Sequence, residues 1–173
     1  MAIPDFQTIM RPLLESIDNL SEQELKVVKQ KLITRFQLSE DDLREKIPSG
    51  RAFLFDNRLG WANTYLKKAG LIASERRAFL QITEAGHGFL ASHNGEIKVS
   101  HLKTINIFKE FHEAKGGDSS PVANDISVEE ETKSPEEVIF AAYEIVNRGL
   151  VSELLKTIKS AHLLSSKSLS LIS

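Results

Sequence analysis

The chain has 173 residues, with 41% hydrophobic and 27% charged side chains, a net charge of -2 and no cysteine. That mixture can bury a core, whereas the missing cysteines exclude disulfides, thiolate metal sites and cysteine nucleophiles. No apolar run approaches the roughly twenty residues that cross a bilayer, and Met1-Ala2-Ile3-Pro4-Asp5-Phe6 lacks the basic start and apolar core of a secretory signal, so the cytoplasm is expected and a membrane partner is not.

A first helix is predicted from Pro4, a residue suited to a first turn, with Phe6, Ile9, Met10, Leu13, Leu14 and Ile17 recurring at helical spacing. Ser21-Glu22-Gln23-Glu24 reads as a capping box opening a second helix through Leu25, Val28, Leu32, Ile33 and Phe36. Ser39-Glu40-Asp41-Asp42 opens a short third helix through Leu43 and Ile47, and Pro48-Ser49-Gly50 breaks the chain. A fourth helix runs from about Phe53 to Ala69 and stops at Gly70. Leu71-Ile72-Ala73 and Phe79-Leu80-Gln81-Ile82 read as short strands around a polar tip, Ser74 to Ala78, that carries two arginines. Thr83-Glu84-Ala85-Gly86 starts a helix through Phe89 and Leu90, and a last small helix spans Val99 to His112. Helices followed by a basic-tipped hairpin make the order of a winged helix-turn-helix.

The domain organisation follows. Residues 1–95 are expected to form a mainly α winged-helix domain of the DNA-binding kind, and 96–113 a short helical extension. Residues 114–133 form an acidic flexible linker with too little apolar content to fold on its own. Ser134-Pro135-Glu136-Glu137 combines a cap, an N1 proline and first-turn acids, and starts a helix over 134–159. The tail 160–173, mostly serine, leucine and lysine, is expected to be unstructured. Charge divides along the same lines: Arg51 to Thr83 carries a local net of +4, and Ala114 to Ser134 a net of -3.

At 100° per residue, Phe55, Leu59, Ala62, Leu66 and Ala69 share one side of the fourth helix, with Trp61 and Tyr65 extending it as core aromatics. Asp56, Asn57, Gly60, Asn63, Thr64, Lys67 and Lys68 share the opposite arc, which is rich in groups that read base edges or hold phosphates. The candidate DNA contacts are therefore Arg51, Asn57, Arg58, Asn63, Thr64, Lys67, Lys68 and the wing residues Arg76 and Arg77. Arg58 lies at the apolar margin and serves either an acidic partner or a phosphate. A polar arc on a bare helix is usually only a solvated face; the arginine-tipped hairpin shifts the balance toward DNA. His87, His93, His101, His112 and His162 never place two rings on one helix turn, so neither a metal site nor a cofactor is expected. Glu24/Lys26, Glu96/Lys98 and Glu131/Lys133 match the Glu-x-Lys of a nuclease by chance, for none follows a buried strand with an upstream aspartate.

These residues carry a family resemblance. Ala2-Ile3-Pro4-Asp5-Phe6-Gln7, Pro48-Ser49-Gly50-Arg51, Phe55-Asp56-Asn57-Arg58-Leu59-Gly60-Trp61-Ala62 and Tyr65-Leu66-Lys67-Lys68-Ala69-Gly70-Leu71 resemble the N-terminal domain of Mrr-type restriction endonucleases. Phe79 to Gly86 is similar to their second wing strand and next helix. Ser134 to Tyr143, with Leu154 to Lys159, resembles the helix entering their nuclease domain. The resemblance implies a modification-dependent restriction enzyme whose N-terminal domain recognises double-stranded DNA with methylated bases. It also implies a C-terminal nuclease with an aspartate and a Gln/Glu-x-Lys pair. Where that domain would begin stands Ser160 to Ser173, which matches nothing in it. The expectation is thus a DNA-recognition chain, truncated or frame-disrupted, that is not an enzyme as it stands and has no catalytic residues. The alternative is a protein-interaction or dimerisation module that uses the winged helix without touching DNA. A homodimer through the C-terminal helix is a further expectation, since Val138, Ala141, Ala142, Ile145, Val151, Leu154, Leu155 and Ile158 would otherwise lie bare.

Overall fold

The computed structural model describes residues 3–18, 21–109 and 133–169, of 161–169 the backbone alone. The chain divides into two compact units, Met1–Pro135 and Glu136–Ser173.

Helix α1, Phe6–Ser16, is capped by Asp5, whose carboxylate accepts from the Gln7 and Thr8 amides at 2.8 and 3.0 Å. Pro4 therefore stands outside the helix, because the aspartate satisfies the orphan amides that a start at Pro4 would leave bare. Ile9, Met10, Leu13, Leu14 and Ile17 are fully buried.

Ser21 to Glu24 does not form the expected capping box. Gln23–Glu24 is instead a strand, β1, and helix α2, Leu25–Phe36, begins with no side-chain cap. The extended backbone is held by pairing to a distant strand: Gln23 faces Leu80, Glu24 faces Phe79, and the Leu25 amide donates to the Ala78 carbonyl at 2.8 Å. Sheet hydrogen bonds replace the cap. The next box does form: Ser39 and Asp42 cap α3, Glu40–Arg44, reciprocally. That helix stops short of Ile47, since Glu45 is extended and the chain folds back through a bridge between Lys46 and Phe53.

Helix α4, Leu54–Lys68, ends as the sequence predicts. Gly70 takes φ +74°, its amide donates to Lys67, and the Leu71 amide reaches back to the Leu66 carbonyl at 3.0 Å, the paired bonds of a Schellman stop. Strands β2, Ile72–Ala73, and β3, Phe79–Ile82, follow in antiparallel register, Ile72 opposite Ile82. The sheet order is β1-β3-β2. Helix α5, Glu84–Ser92, is capped by Thr83, whose hydroxyl accepts from Gly86 and donates to the Gly70 carbonyl. Helix, strand, helices, and a hairpin whose second strand lies between the other two: this is a mainly α winged helix.

The expected helix from Val99 to His112 is interrupted. Helix α6 covers only Val99–Leu102; the Thr104 hydroxyl donates to the His101 carbonyl, competing with the helical bond, and helix resumes at 106–109. Residues 110–112, and all of the expected linker except Lys133, lie outside the described residues.

The second unit is one helix, α7, whose full span is Pro135–Leu169. It runs past Gly149 and ten residues beyond the expected end at 159, into the segment expected to be unstructured, because that segment contains neither proline nor glycine to stop it. Residues 170–173 lie outside the described residues. Among the described residues no helix is long and apolar enough to cross a membrane.

Candidate nucleic-acid interface

The residues expected to contact DNA, on the α4 arc and the wing, separate into three groups. The first is committed to the fold. Arg58 donates to the carbonyls of Ile3 and Pro4 at 2.8 and 3.4 Å, so it clasps the segment before α1. Asn57 accepts from the Ser134 hydroxyl at 2.7 Å, with Ser134 buried. A helical wheel sees neither partner, because both come from distant parts of the chain.

The second group is partly occupied. The Asn63 side-chain oxygen is buried without a hydrogen-bond partner among the described residues. A two-pronged contact to adenine uses both ends of the amide, so this rotamer offers at most one. The Thr64 hydroxyl bonds back to the Gly60 carbonyl at 2.9 Å. Arg76 is shared between Glu22, 3.1 Å away, and the face of Phe79 at 4.0 Å.

The third group is presented to solvent. Lys67, Lys68, Arg51 and Arg77 are exposed, and Arg51, Lys67 and Arg77 make no ion pair among the described residues. Two of these cations close α4, where they also complement its C-terminal dipole. Arg77 is at the wing tip beside Ala78, which has φ +65°.

The opposite side of α4 explains why the arc is held so firmly. Tyr65 packs between Phe6, Trp61 and Phe108, with ring centroids 5.4, 6.1 and 5.6 Å away. The two aromatics expected in the core are partly buried against it, and burial raises the Tyr65 phenol above its ordinary pKa.

Sequence reasoning missed a cleft of about 360 Å³ beside the arc, where Leu25, Lys26 and Lys29 of α2 meet Asp56, Gly60 and Asn63 of α4 and Ala78 of the wing. Lys29 pairs with Asp56 there. Its only signal was the lysine run on α2, which spacing alone could not direct toward α4. It also missed the approach of His93, stacked 4.0 Å from Phe89, to His101 at 5.6 Å, since the two lie eight positions apart on different helices or their ends. Among the described residues, no three histidine or carboxylate side chains group as metal ligands would.

A family model described as the Mrr N-terminal domain matches residues 6–92, about half of the chain. No curated protein and no solved structure matches it.

Proposed function

We propose, from the premise that the chain belongs to the Mrr N-terminal domain family, that its winged helix binds double-stranded DNA as the recognition part of an Mrr-like restriction system. The observation that carries this reading is the coincidence of the matched span, 6–92, with the elements α1 to α5. Arg51 precedes α4, Lys67 and Lys68 end it, and Arg77 tips the wing. Together they supply exposed cations for the phosphates on either side of a groove, while the arc between them is short-chained enough to approach base edges. The resemblance adds methylated bases as the modification recognised. On this reading the chain binds without cutting, since no aspartate with a Gln/Glu-x-Lys pair follows a buried strand among the described residues. The test is fluorescence-anisotropy titration against methylated and unmodified duplexes over a salt series. Binding whose logarithm falls steeply with log salt, and which favours the methylated duplex, supports the reading. Equal affinity for both duplexes removes the methylation part of it, and no duplex binding at low salt removes it altogether.

A second reading, a protein-docking winged helix, is favoured by one observation: Phe53 and Val27, at 43% and 45% exposure, place apolar side chains at the start of α4 and on α2. Docking of that kind has almost no salt slope, so the same titration separates the two.

A further inference from the structure

Among the described residues, helix α7 exposes an apolar stripe, which Asn147 and Thr157 interrupt on the same side. Ile139, Tyr143, Val146, Leu150, Leu154 and Ile158 are each between 53% and 70% exposed and fall within about 120° of the helix at 100° per residue. At 1.5 Å per residue the helix is roughly 50 Å long, and the densest apolar stretch, 145–158, straddles its midpoint. Bare apolar faces of this extent mark an interaction site.

We propose that this face is covered by the same helix of a second copy, lying antiparallel. Three features carry the assignment. The first is area: six large side chains expose on the order of 100 Å² each, so two copies would bury about 1,200 Å², the lower bound of a specific interface. The second is position: because the apolar stretch is centred on the helix, a two-fold axis near its middle sets the apolar stretch of one copy against that of the other. The third is charge. Glu136, Glu137 and Glu144 come before any Lys or Arg of the helix, and after Glu153 only Lys156, Lys159 and Lys167 are charged. A parallel pair stacks acid on acid and base on base. An antiparallel pair with Leu150 level with the 150–154 turn of the other copy sets Glu144 level with residues 156–160, where Lys156 and Lys159 lie. The acidic first half of each helix then runs beside the basic second half of the other, and the two helix dipoles oppose as well.

The chain contains no cysteine, which gives a clean test. Light scattering across a concentration series of the full chain is expected to give twice the chain mass. L150E/L154E, with helicity checked by circular dichroism, is expected to weaken association at least tenfold. Ser152→Glu, on the opposite side of the helix, is expected to leave it unchanged. Chains carrying Tyr143→Cys and Thr157→Cys, differently tagged and mixed, are expected to cross-link to each other through a short bis-maleimide, and Y143C alone is expected not to. Monomer mass at every concentration overturns the proposal, as does association that L150E/L154E leaves intact. Y143C cross-linking to itself overturns the orientation.

Discussion

Glu22 holds Arg76 from across the sheet: Nη2 and Nε of the arginine lie 3.1 and 3.2 Å from the same carboxylate oxygen, and the guanidinium covers the Phe79 ring. The acid that closes the approach to β1 thus occupies one of the two wing arginines, while Arg77 stays clear of it.

The wing arginines should therefore behave unequally. Arg77→Ala is expected to flatten the slope of log affinity against log salt by about 0.9, the value of one phosphate contact, and Arg76→Ala to flatten it less. Glu22→Gln releases Arg76 and is expected to tighten duplex binding and steepen the slope. It should change stability by no more than about 1 kcal/mol, since the pair is exposed. Anisotropy titration of the three variants measures all of this; identical slopes in all three would place the wing away from DNA.

Arg58, bonded to the Ile3 and Pro4 carbonyls, is expected to serve the fold rather than the duplex. Arg58→Ala strips hydrogen bonds from two carbonyls and is expected to cost about 1.5–3 kcal/mol, the range for bonds to a charged donor. That corresponds to a fall in Tm of several degrees. The salt slope of DNA binding should not change. Thermal unfolding paired with anisotropy decides it: unaltered Tm with a flattened slope would return Arg58 to the interface.

Two glycines two residues apart on α5 should respond oppositely to alanine. A Cβ on Gly86 would stand 2.3 Å from the Leu71 carbonyl oxygen and 2.7 Å from Ile82 Cγ1, while one on Gly88 meets nothing within 4 Å. Gly86→Ala is expected to destabilise by at least about 1–3 kcal/mol, the cost of overpacking, because backbone has to move. Gly88→Ala is expected to stabilise by about 0.5–1 kcal/mol. Denaturant unfolding of both variants is the measurement, and equal midpoints would contradict the close approach of α5 to Leu71.

Asp42 is held below the usual carboxylate pKa by the Ser39 hydroxyl and the Ser39 amide, both donating to it. Because the folded pKa is depressed, its contribution to stability is present above the unfolded value, near 3.8, and lost as pH falls through the folded one. Ser39→Ala is expected to bring the Asp42 pKa back up, read by NMR titration of its carboxyl carbon. An unmoved pKa would mean that the reciprocal cap is not formed.

How far the sequence carried the fold depended on where each partner lay. Helix α4 and its stop at Gly70 were legible because periodicity and a glycine at φ +74° are local signals. The wing was legible for the same reason. Strand β1 was not: two residues are too short to alternate, and Ser21-x-x-Glu24 satisfies a helix-start pattern that only pairing with Phe79 and Leu80 overrides. The site divided the same way. Exposure of Lys67 and Lys68 could be read from the helical wheel, but the Ile3 carbonyl beneath Arg58 and the Ser134 hydroxyl on Asn57 could not, since each lies more than fifty positions away. Helix α7 was longer than expected because its serine-rich end contains nothing that stops a helix.

The pairing of β1 with β3 also sets what can come apart alone. The first turn of α2 has no side-chain cap, and its leading amide, on Leu25, is held by the Ala78 carbonyl at the end of the hairpin. Opening the hairpin therefore unlatches the start of α2 as well. The two segments should behave as one cooperative unit in native-state hydrogen exchange, the Leu25 amide and the hairpin amides sharing a single opening free energy, whereas the α1 interior, packed in the core, exchanges only on global unfolding.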